Sequence, residues 1–161
     1  MNQHLQNQRQ PERAAGQPVR VDVYAARAGD VVAFNHRWRD RADQRKKGPI
    51  EIPNGASCVR IQFHLNDRTG LNLRFCGAGH GNPGDAFWVD STGCPTQPST
   101  DPQTPVSDFH VTPSQLTVVD RNSGEPCTLH FVLRFTGDPT PEDGPIYEYD
   151  PEIRNGGGGI D

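Results

Sequence analysis

The run Cys127-Thr128-Leu129-His130-Phe131-Val132-Leu133-Arg134-Phe135 carries apolar side chains at every odd position and mostly polar ones at the even positions. Successive side chains of an extended chain point to opposite faces, so a period of two specifies a strand with one face on a core and one in water. The same alternation marks Val19-Arg20-Val21-Asp22-Val23-Tyr24 and Cys58-Val59-Arg60-Ile61-Gln62-Phe63-His64-Leu65. Half-buried strands of this kind build antiparallel sheets.

Working outward, turn residues bound further short strands near 29–34, 70–76, 86–90, 115–120 and 145–149. Gly29-Asp30 reads as a tight hairpin turn, and Pro145–Tyr149 returns beside Cys127–Phe135 as its hairpin partner. About seven or eight strands at this spacing specify an all-β fold, a single antiparallel β-sandwich of Ig-like or cupredoxin-like kind. Its expected core includes Val21, Val23, Val59, Ile61, Phe63, Leu129, Phe131 and Leu133, while Cys127 faces inward by the same parity.

At 161 residues with 32% apolar content, 17 Gly and 15 Pro, the chain suits one domain with a modest core and many connections. The expected organisation is a flexible tail over 1–18, a sandwich domain over 19–150 and a Gly-rich tail over 151–161. Two inserts interrupt the strands: a basic segment over 35–47 that reads as a short helix ending at Gly48-Pro49 or as an ordered loop, and a Pro-rich loop over 93–107.

Charge is unevenly spread. Residues 1–47 hold ten Lys/Arg against five Asp/Glu, whereas residues 48–161 hold six against fifteen. Opposite poles favour oriented association with a charged partner or head-to-tail contact between copies. The N-terminal residues have no apolar leader pattern and no uncharged stretch approaches membrane-spanning length, so the chain reads as cytoplasmic, with its four cysteines as thiols.

Three groups of residues could carry chemistry. Arg37, Trp38, Arg39 and Arg41 join cations to one aromatic and form the candidate partner-binding cluster, continued by Arg45, Lys46 and Lys47. The acidic character of the rest of the chain favours a protein partner or self-association there over nucleic acid. Cys76, His80 and Cys94 are soft and imidazole ligands that could hold zinc, with a fourth ligand from His64 or His130, although their spacing matches no finger or ribbon. Gly79–Gly84 matches G-x-G-x-x-G, but a strand follows in place of the helix a dinucleotide needs. No serine stands in a nucleophile elbow and no catalytic residue is assigned.

Val31-Val32-Ala33-Phe34-Asn35-His36 after Gly29-Asp30 resembles the early strand of a cupredoxin. Copper is not carried over, because Met1 is the lone methionine and Cys127 and His130 fall within a strand. Phe131–Phe135 followed by Tyr149-Asp150-Pro151-Glu152-Ile153-Arg154-Asn155 and four glycines resembles the endings of short uncharacterised bacterial proteins. That resemblance implies a bacterial, cytoplasmic protein and says nothing about mechanism. The sequence therefore leads to a non-catalytic binding or assembly module without a cofactor, with a zinc protein and an enzyme using an unrecognised loop site as the alternatives.

Overall fold

The computed structural model describes residues 18–40, 42–56, 58–78, 82–90, 106–122, 126–137 and 145–156. Their strands are β1 (Val19–Ala28), β2 (Val31–Arg39), β3 (Arg45–Lys46), β4 (Ile50–Ile52), β5 (Val59–Asp67), β6 (Arg74–Phe75), β7 (Phe87–Asp90), β8 (Val106–Val111), β9 (Gln115–Asp120), β10 (Cys127–Thr136), β11 (Ile146–Tyr149) and β12 (Glu152–Asn155). One sheet runs β3-β2-β1-β5-β9-β8; the other is assembled on β10, which pairs with β11, β12, β6 and β7, and β4 pairs with β12. The fold is all-β, with more strands than expected.

The two sheets meet through phenylalanines. Phe63 of β5 lies 5.5 Å from Phe131 of β10 and 6.1 Å from Phe87 of β7, while Phe34 of β2 stacks on Phe135 of β10 at 5.2 Å. Phe63, Phe87, Phe131 and Phe135 are buried, each contributing on the order of 1.5–3 kcal/mol. Alternation does the selecting: Val21, Val23, Val59, Ile61, Leu129 and Leu133 are buried as their parity predicts. Cys127 is exposed, contrary to its parity, because it is the first residue of β10 and lies at the strand's end.

The hairpin between β1 and β2 pairs Ala28 with Val31 around Gly29, which takes φ 65° at the first turn position. The sheets are not purely antiparallel, however. β1 runs parallel to β5, and β4 parallel to β12. A parallel pair needs a long crossover, and here the chain supplies it by passing through β2, β3 and β4, thereby visiting the second sheet before returning to β5.

Three expected boundaries move. The segment 35–47 is no helix: β2 continues to Arg39, and a turn built on Asp40 leads into β3. Asp40 Oδ1 accepts from the amides of Ala42 and Gln44 at 3.0 and 2.8 Å, and Asp43 takes φ 62°, so the side chain fixes a turn where a helix would need those amides. The Pro-rich loop ends earlier than 107, since Val106 is buried and opens β8 opposite Asp120. The sandwich also extends past 150. β11 and β12 hold one register on β10, Tyr149 opposite Leu133 and Glu152 opposite His130, and are separated only by Asp150-Pro151. Proline has no amide to donate, so it interrupts the ladder without ending it. Buried Ile153 then anchors the second half.

A buried polar cluster closes one end of the sandwich. Asp120 Oδ1 accepts from the Asn122 amide at 2.9 Å and from Asn155 Nδ2 at 3.0 Å, linking β9 to β12. Asn122 Nδ2 donates to the carbonyls of Pro53 and Ala56. Gly156 passes so close to this loop that a Cβ would stand 2.4 Å from the Asn54 nitrogen. Burial raises the Asp120 pKa from 3.8 to about 6, opposed by these hydrogen bonds. The folded state thus holds this proton more tightly than the unfolded chain. Asp120 contributes stability that is complete below its unfolded pKa and is lost as pH rises through about 6. Urea titrations of the wild type and Asp120→Asn are expected to show a stability difference that changes by roughly 3 kcal/mol between acidic and neutral pH, with the wild type losing ground as pH rises.

Candidate interaction site

The outer face of β1, β2 and β3 collects the basic residues. The two-residue turn at Gly29-Asp30 fixes the register, placing Arg20 opposite Arg39, Asp22 opposite Arg37 and Tyr24 opposite Asn35. Arg39 in turn pairs with Arg45 of β3. Directly paired residues project to the same face, so Arg20, Arg39 and Arg45 form a row of three like charges across three strands. Lys46 and Lys47 follow at the sheet edge.

These cations are only partly neutralised. Arg20 meets Asp22 at 3.2 Å and Arg39 meets Asp43 at 3.2 Å, the latter carboxylate 81% exposed. Exposed pairs of this kind contribute about 0–1 kcal/mol. Arg37 donates to the His36 carbonyl at 3.0 Å. Among the described residues Arg45, Lys46 and Lys47 form no ion pair with a carboxylate. A cavity of about 260 Å³ opens here, lined by Asp22, Tyr24, Arg37, Trp38, Arg39, Arg45, Lys46 and Lys47.

Trp38 does not have the expected role. Parity carries it inward after Phe34 and His36, and it is 3% exposed within the core. Its ring therefore supports the strand from beneath and is not presented for stacking. Arg37 and Arg39 remain on the outer side, and Arg41 lies outside the described residues. The sequence missed Arg20, Asp22 and Tyr24 as parts of the same site, although the hairpin register contained that signal.

His36 ties β2 to the second sheet. Its Nε2 lies 2.7 Å from the Gly48 carbonyl, which can only accept, so Nε2 carries the proton and Nδ1 accepts from the Tyr149 hydroxyl at 2.5 Å. Burial lowers the His36 pKa below the usual histidine value, and burial raises that of Tyr149 to about 12, so both stay neutral near pH 7. Phe34 stacks on Tyr149 at 5.6 Å beside this bond. The basic face is thereby backed by a fixed strand.

Of the zinc candidates Cys76, His80 and Cys94, Cys76 alone lies among the described residues. Cys76 is buried, and burial raises its thiol pKa, with Arg134 opposing. His80 and Cys94 lie outside the described residues. His64 is on the outer face of the first sheet and His130 on that of the second, so the two cannot share one ion. His130 approaches Glu152 at 3.7 Å, and Arg134 covers the Trp88 ring at 3.8 Å. No group of three or more His, Cys, Asp or Glu poised for a metal occurs among the described residues, and no helix there is long and apolar enough to cross a membrane.

Comparison with known proteins finds no matching family model and no matching curated sequence. Replacing Trp38 by Ala is expected to lower stability by about 3–5 kcal/mol, whereas Trp38→Phe retains most of it. Thermal unfolding of the two variants checks this, and a surface role for the ring would leave both near wild type.

Proposed function

We propose that this chain is a non-catalytic, cytoplasmic binding or assembly module that adds a strand of a protein partner to the open edge of β2. The observation that carries the reading is the unequal pairing of β2. All nine of its residues pair with β1, but β3 covers only Trp38 and Arg39 on the other side. Among the described residues, Val31–Arg37 have no strand along that edge. A row of unpaired backbone groups is a template for strand addition, and its main-chain bonds supply affinity whatever the sequence of the guest.

Charge sets which guest is preferred. A strand laid along Val31–Arg37 brings its outward side chains beside Asn35 and Arg37, with Arg39, Arg45 and Lys46 at its end. An acidic extended segment complements that face, and the steering would weaken with salt. Val31, 65% exposed, offers an apolar contact at the other end of the edge.

A labelled peptide of alternating Glu and Val tests this by fluorescence anisotropy. The wild type is expected to bind it at least tenfold more tightly than the Lys/Val counterpart, and Arg37→Glu with Arg39→Glu should abolish the preference while circular dichroism stays unchanged. Equal affinity of wild type and the double variant for both peptides would overturn the reading. Native mass spectrometry of the chain alone decides whether the strand donor is a second copy.

A further inference from the structure

Three like charges set side by side on neighbouring strands are an arrangement a sheet does not need for folding. Directly opposed cations destabilise a sheet, and opposite charges would serve its solubility equally well. Arg20, Arg39 and Arg45 nevertheless occupy one row, and two of them, Arg39 and Arg45, line a cavity together with Arg37, Lys46 and Lys47. Five cations and one carboxylate line the cavity, and that carboxylate, Asp22, is already engaged by Arg20. The repulsion is relieved when a multivalent anion enters.

We infer that this cavity is a binding site for a phosphate monoester. A carboxylate offers two oxygens and one charge, enough for a single guanidinium fork. A phosphate monoester offers three terminal oxygens and nearly two charges, which matches Arg37, Arg39 and Arg45 converging from two strands. The volume of about 260 Å³ lies just below the range of pockets that enclose drug-sized molecules. It accommodates the phosphate with one compact carrier group, against which Tyr24 supplies a ring and a hydroxyl. The cations gather on one cavity and do not track along a groove, and the rest of the chain is acidic, which disfavours a nucleic-acid backbone. This inference stands on the register and the cavity; it shares Arg37, Arg39 and Arg45 with strand addition but needs no guest on the β2 edge.

Amide chemical shifts of the full chain, titrated with glycerol 1-phosphate and with a phosphoserine peptide, provide the test. Shifts are expected at Asp22, Tyr24, Arg37, Arg39 and Arg45–Lys47, with acetate and the unphosphorylated peptide producing none at the same concentration. Arg45→Gln should weaken phosphate-ester binding at least tenfold, and Arg60→Gln, on the same sheet but outside the cavity, should not change it. A peptide bound at least tenfold more tightly than glycerol phosphate assigns the phosphate to a modified protein; equal affinities assign it to a small ester, and either supports the site. Shifts spread over all surface arginines, an Arg45→Gln variant that binds like wild type, or a short oligothymidylate binding where the esters do not would overturn it.

Discussion

Everything in this molecule depends on the phenylalanine layer between the two sheets. Phe63 against Phe131 and Phe87, and Phe34 against Phe135, fix which face of each strand is inside. A slip of one residue would expose that whole set and bury the charged one, so the parity of β1, β2, β5 and β10 is not negotiable. The basic face is a consequence. Arg20, Arg37 and Arg39 face outward because Val21, Val23 and Trp38 must face inward.

The two ends of the sandwich are finished differently. Where β9 meets β12, Asp120, Asn122 and Asn155 link the strands and a buried carboxylate is retained at the expense of stability at neutral pH. Beside β2 the closing bonds are made by His36 with Tyr149 and Gly48, both side chains neutral. The latter joins the sheets from the inner side of β2 and leaves Val31–Arg37 without a second strand neighbour among the described residues. The cationic residues are thus mounted on a strand whose position is fixed from behind, which suits recognition better than a free loop would.

Much of this was legible in the residues themselves. Alternation identified β1, β5 and β10 and most of their buried positions, bounding turn residues placed β9, and Gly29-Asp30 identified the first hairpin. The register of that hairpin also places Arg20 beside Arg39, which makes half of the candidate site readable from one turn. Other features depended on contacts distant in sequence. β4 has three residues and β12 four, too short for a period to register; β12 is held by its ladder to β10, and β4 by its ladder to β12. Trp38 was misread because its charged neighbours hid an alternation that continued unbroken from Phe34 through His36. The parallel pairing of β1 and β5 left no local mark, since it follows from where the intervening strands dock.

The open edge of β2 is the claim on which the functional account rests, and amide hydrogen exchange of the full chain tests it most directly. The account predicts that amides of Val31–Arg37 directed away from β1 exchange close to solvent rates, while their alternate neighbours and the amides of β1 are protected to the limit of global unfolding. Uniform protection along β2 would show that the edge is already covered and would contradict it.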